Sequence, residues 1–209
     1  GASGSMYLDY LQDVINDIKI NTNNIKYEWV TNRNEFVGSI DNTATSSLNK
    51  LTNDFIFYYE KGMRANKIGI PVGIFSGSAL PQNVECYYYN LKTGNASKIL
   101  LLEAFDAVEK IFNGISFNDN IKGEGWGNYL LYLNALVNGV DLNADINETF
   151  SEALEAIENL DDDLMNNIIT DELQVRSTYD KVQRGTVLLK TDMLGYLNID
   201  VDYLDADGD

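Results

Sequence analysis

The sequence predicts an all-α protein, an antiparallel helical bundle with long helices and glycine-rich loops. Three observations predict it. Apolar residues recur at alternating steps of three and four through most of the chain, the signature of one buried helix face. Only the short Ile199 to Leu204 has the period-two pattern of a strand. Both prolines of the chain, Pro71 and Pro81, lie with Gly62, Gly69, Gly73 and Gly77 in one stretch, Phe55 to Glu85, around which plain helical pattern is arranged.

The elements follow in order. Gly1 to Ser5 reads as an expression-tag remnant, so fold reasoning covers Met6 to Asp209 as one domain. Leu8, Leu11, Ile15, Ile18, Ile25, Trp29 and Phe36, with polar Thr22 and Asn32 at two positions of the same series, predict one long helix that Gly38 ends. A second helix is expected from about Ser47 to Asn66, with Leu48, Leu51, Phe55, Tyr58, Tyr59 and Met63 on or near its buried face. Glycine and proline then force a loop over Lys67 to Pro81, and its Ile68, Ile70, Val72, Ile74 and Phe75 predict that it is packed down. A short helical turn is expected at Val84 to Tyr89.

Further helices are expected at about Ala96 to Phe112, Trp126 to Val137 and Asn143 to Leu160, with a final long one at about Asp162 to Asn198. In the third of these Glu148, Glu152, Glu155 and Glu158 form an outward carboxylate series, read as a solvated face because no Glu-x-x-His partner faces it.

Composition excludes several function classes. The chain has 15 Lys and Arg against 32 Asp and Glu, a formal net charge of -17, which repels phosphate backbones and anionic lipid and leaves nucleic acid an unsuitable partner. No apolar run reaches transmembrane length. The chain has no histidine, which removes Ser-His-Asp and Cys-His catalysis, HExxH zinc sites and any His-ligated transition metal within it. Oxygen-ligand sites remain possible. The single cysteine, Cys86, precludes an intrachain disulfide and reads as a small buried hydrophobe beside Tyr87 to Tyr89.

Two groups of residues could carry a site. Near the central loop Tyr59, Glu60, Arg64, Lys67 and Glu85 combine both charge signs with aromatic surface, as a ligand-binding cleft requires. The plainer reading pairs Glu60 with Arg64 along one helix face and places the tyrosines in the core. At the end of the chain Asp205, Asp207 and Asp209 alternate around Gly208, a spacing that suits a hard divalent cation such as calcium. The match to an EF-hand loop stops there, because glycine comes two positions early and no closing Glu follows.

The strings YYEKGMRANKIGIPVGIFSG and PQNVE, then Phe112 to Gly114, and LLKTDMLGYLNIDVDYLDADGD resemble the C-terminal half of imelysin-like proteins, of the type found in Bacteroidetes, over essentially Tyr7 to Asp209. The resemblance implies a fold of two helical bundles in a periplasmic or cell-surface lipoprotein. The family includes an insulin-cleaving membrane protease and relatives linked to iron uptake, and its GxHxxE motif is a proposed metal site. That motif is absent here, as the lack of any histidine requires, so the chain corresponds to the half without it.

Three functional expectations follow. The first is a non-catalytic binding component in iron or other metal acquisition, with Glu60, Arg64, Lys67 and Glu85 facing a cleft, a divalent cation (iron or calcium) or small ligand as its partner, and the N-terminal half of the same protein as a possible neighbour. The second is part of a metallopeptidase whose metal site lies in that other half. The third is a protein-interaction module that docks a partner on the loop 67–81.

Overall fold

The structure is a computed structural model that describes residues 4–86 and 96–203. It is all-α, a helical bundle with one two-stranded hairpin among the described residues. Helix α1 spans Gly4–Gly38 and α2 spans Ser47–Phe57, which runs without a break into a π-helical segment, Tyr58–Gly69. After a 3-10 turn at Pro81–Asn83 come α3 (Ala96–Asn113), α4 (Trp126–Tyr132), strands β1 (Leu136–Val137) and β2 (Val140–Asp141), and α5 (Leu142–Glu158). Helix α6 (Leu164–Thr170) precedes α7 (Glu172–Val187), which passes through a second π-helical segment, Leu188–Met193, into α8 (Leu194–Leu197).

Apolar stripes close one continuous core. Phe55, Tyr59 and Met63 meet Leu101, Phe105 and Phe112 of α3, Ile146, Phe150 and Ile157 of α5, and Val175, Val182 and Leu189 near the end of the chain. Phe150 sits at its aromatic centre, stacked on Tyr59 and edge-on to Phe105 and Phe112. The packing is antiparallel. Tyr59 reaches Val182 while Arg64 reaches Tyr179, and Thr178 meets Ala156 while Arg184 meets Asp145.

Four expectations are revised by the structure. The last helix is two pieces rather than one, because Asp171 leaves helical geometry at φ -146°, ψ 69° and its carboxylate accepts from the Gln174 amide at 3.1 Å, starting a new helix. The helix begun at Trp126 ends at Tyr132, and a hairpin follows. Asn138 and Gly139 turn it with φ of 52° and 83°, the left-handed pair that an Asn-Gly turn supplies. Cys86 is exposed rather than buried. Leu51 and Tyr58 are exposed, because they lie seven residues apart on the flank of the helix, turned away from the face that Thr52, Phe55, Ile56 and Tyr59 bury.

The loop after the π segment is packed down. Val72 is fully buried, as is Ile68 at the end of the π segment, and Ile74 lies against the core, whereas Phe75, expected to pack down, is 39% exposed. Gly73 takes φ +80°, with the Ser78 carbonyl where its side chain would be. The expected turn at Val84 to Tyr89 lies only partly within the described residues.

Helix α1 is the exception to all of this. Its span agrees with the pattern, yet none of its residues is buried. It meets the body at its C-terminal end, where the Ser47 hydroxyl donates to the Phe36 carbonyl at 2.6 Å.

Candidate functional site

The π segment presents a turn wider than an α-helix, and two of its charged residues, Glu60 and Arg64, point inward. Glu60 and Arg64 are 2% and 1% exposed. The Glu60 carboxylate lies 3.6 Å from the Arg64 guanidinium, accepts from Lys190 Nζ at 3.2 Å and accepts from the Tyr203 hydroxyl at 3.0 Å. Arg64 in turn donates to the Tyr179 hydroxyl and to Gln183 Oε1, and lies over the Tyr179 ring at 5.3 Å. Lys190 belongs to the second π segment, so the two π segments face each other across this cluster. Gly69 lets Phe75 and Tyr179 close over it, since a Cβ there would sit 2.8 Å from both rings.

Chemically this is a closed arrangement. Two cations and a hydroxyl engage the one carboxylate, which satisfies the cost of burying it. Tyr59, next along the segment, is in the aromatic core, and its hydroxyl donates to the Val182 carbonyl at 2.9 Å. Burial pushes its phenol far above the ordinary tyrosine value; Arg64 pulls the other way and Glu109 adds to the rise. A phenol so held stays protonated and serves as a donor.

The remaining candidates lie apart from the cluster. Lys67 Nζ meets Glu85 Oε2 at 2.5 Å, with the glutamate 40% exposed, and the Ser97 hydroxyl donates to the Glu85 carbonyl. The ion pair ties the end of the loop back to the π segment, and the Ser97 bond ties it to α3. The structure thus brings Glu60 and Arg64 together, sets Tyr59 behind them and leaves Lys67 and Glu85 as a separate bridge. Asp205, Asp207 and Asp209 lie outside the described residues. Among the described residues no three Asp, Glu, Cys or His side chains are grouped so as to hold a metal ion. Sequence reasoning missed Tyr179, Gln183, Lys190 and Tyr203, which join Glu60 and Arg64 from more than a hundred residues away with no local signal.

Among the described residues several hollows open on the surface, three of which bear on the candidate residues or on α1. One of about 400 Å³ is polar, lined by Asp106, Glu109, Lys110 and Asn113. Burial raises the Glu109 carboxyl above its ordinary value, helped by Asp106 and Glu158. A second, of about 240 Å³, is an apolar groove of Leu48, Leu51, Ile111 and Trp126. The third, of about 640 Å³, runs along α1 between Ile25, Trp29 and Phe36 and is flanked by Asn21 and Asn32.

The fold and these sites define an all-α bundle with a sealed ionic core and one bare helix. No protein-family model, curated protein or solved structure matches the chain. No helix among the described residues is long and apolar enough to cross a membrane.

Proposed function

We propose that this chain is a non-catalytic association module, in which the bundle is a scaffold and α1 is the docking arm. One observation carries this reading. Leu8, Leu11, Ile15, Ile18, Ile25 and Trp29 form one stripe along α1, interrupted by Thr22, and each is between 48% and 70% exposed. An apolar surface of that length marks an interaction site, because water penalises leaving it bare. The loop 67–81 is a poorer docking surface, since most of its apolar side chains are spent on the core. The sealed state of Glu60 and the lack of histidine favour binding over catalysis. The resemblance to imelysin-like proteins supplies the setting, an exported protein of the periplasm or cell surface.

The test is a photo-cross-linking amino acid at position 25, introduced into the protein in its native cells. Adducts to a protein are expected, and their absence at this and neighbouring stripe positions overturns the reading.

A second reading, a component of iron or other divalent-cation acquisition, is favoured by the net charge of -17 and by the resemblance. Calorimetric titration with iron, calcium and zinc tests it, and no heat of binding with any of them defeats it. Hydrolysis of insulin chains or casein with added zinc, if seen with pure protein, would defeat the non-catalytic reading.

A further inference from the structure

The bare stripe of α1 is a heptad seam, and its charges say what covers it. From Leu8 to Phe36 the seam residues alternate at steps of three and four without a slip: Leu8, Ile15, Thr22, Trp29 and Phe36 at one core position, Leu11, Ile18, Ile25 and Asn32 at the other. Four heptads at a strict seven-residue repeat, roughly 43 Å of helix, are the pattern of a left-handed coiled coil rather than of a helix on a globular face. All three basic residues of α1, Lys19, Lys26 and Arg33, stand on one edge of the seam, and Glu28 and Glu35 stand on the other.

We propose that α1 pairs with α1 of a second copy of this chain, parallel and in register; the proposal rests on α1 being the docking arm. In a parallel pair each edge meets the opposite edge of the partner five residues on. Glu28 then faces Arg33 of the second copy, twice by symmetry, and Asn21 faces Lys26. In an antiparallel pair like edges meet, and Lys19, Lys26 and Arg33 confront the same residues of the other copy. Polar layers make the same choice. In register, Asn32 meets Asn32 and Thr22 meets Thr22, so each hydroxyl or amide finds its equal. The antiparallel registers that keep full overlap set Asn32 against Leu8 or Ile15, leaving a buried amide without a partner. Ile20 and Tyr27 lie opposite the seam, as single exposed apolar residues commonly do.

Sedimentation equilibrium of the full chain over micromolar concentrations is expected to give twice the monomer mass, and a monomer throughout overturns the proposal. Direction is read by disulfide trapping in a Cys86→Ser background. Ile25→Cys and Ile15→Cys are each expected to cross-link with themselves. Cross-linking only when the two variants are mixed means an antiparallel pair and overturns it. Glu28→Arg is expected to weaken the dimer roughly five- to tenfold, and adding Arg33→Glu to restore it. Ile18→Lys is expected to give a monomer whose bundle melts as before, since α1 buries nothing in the body; a dimer that survives Ile18→Lys uses another surface and overturns the proposal. A monomer in solution whose position 25 still cross-links to a different protein in cells overturns the pairing while leaving the docking arm intact.

Discussion

The phenol oxygen of Tyr59 lies where a side chain at position 185 would begin, for a Cβ on Gly185 would stand 2.2 Å from it. The ring crosses the bare backbone of α7 there, and its hydroxyl donates to the Val182 carbonyl. Glycine inside a helix normally costs up to about 1 kcal/mol against alanine, so Gly185→Ala at an open site would stabilise. Here the sign reverses. Gly185→Ala is expected to cost about 1–3 kcal/mol by overpacking, read as a lower urea midpoint. Tyr59→Phe removes the nearest clashing atom, so the double variant should lose less than the sum of the singles. Strict additivity would refute the contact.

Glu60 supplies the second prediction. Removing it leaves Arg64 and Lys190 facing each other in the interior, so Glu60→Ala is expected to lose about 3–5 kcal/mol in urea unfolding. Lys190→Met leaves Glu60 with Arg64 and Tyr203 and should lose less, about 1–3 kcal/mol. Equal losses would mean that the carboxylate is not the hub.

The helical stripes were legible because burial on one face writes a period into the chain. Leu101, Phe105, Val108 and Phe112 keep that period through α3 and are all buried. Two kinds of feature were not. Spacing cannot say whether a stripe is covered, so α1 read like any bundle helix although nothing in the described chain covers it. Nor does apolar character alone fix the edge of a stripe, so Tyr58 reads as near the buried face beside Tyr59 and lies on its exposed flank. Of the site, the pairing of Glu60 with Arg64 could be read from a four-residue step; Lys190 and Tyr203 could not, because the fold alone brings them there. The hairpin had its signal in Asn138 and Gly139, outweighed by the helical pattern before it.

The break at Asp171 gives a third prediction. Its carboxylate satisfies the Gln174 amide, one of the donors that a new helix leaves open. Asp171→Ala is expected to lose about 1 kcal/mol, and Asp171→Asn much less, since an amide oxygen accepts the same bond. If instead a single helix ran through this point, alanine would stabilise it and the thermal midpoint would rise.

Glu109 gives the fourth, a dependence on pH. Burial, Asp106 and Glu158 hold its carboxyl above the ordinary glutamate value in the folded chain. Between the unfolded and the raised folded value the native state therefore binds more protons than the unfolded one, and this group's contribution to stability falls as pH rises through that window. Glu109→Gln keeps the shape and removes the charge. The variant is expected to be more stable than the parent at neutral pH, with the gap closing as pH falls into the ordinary glutamate range, where the parent's carboxyl is already protonated. Urea midpoints of both proteins measured across that range decide it, and a gap that widens on acidification would show that the carboxylate is stabilised rather than strained by its surroundings.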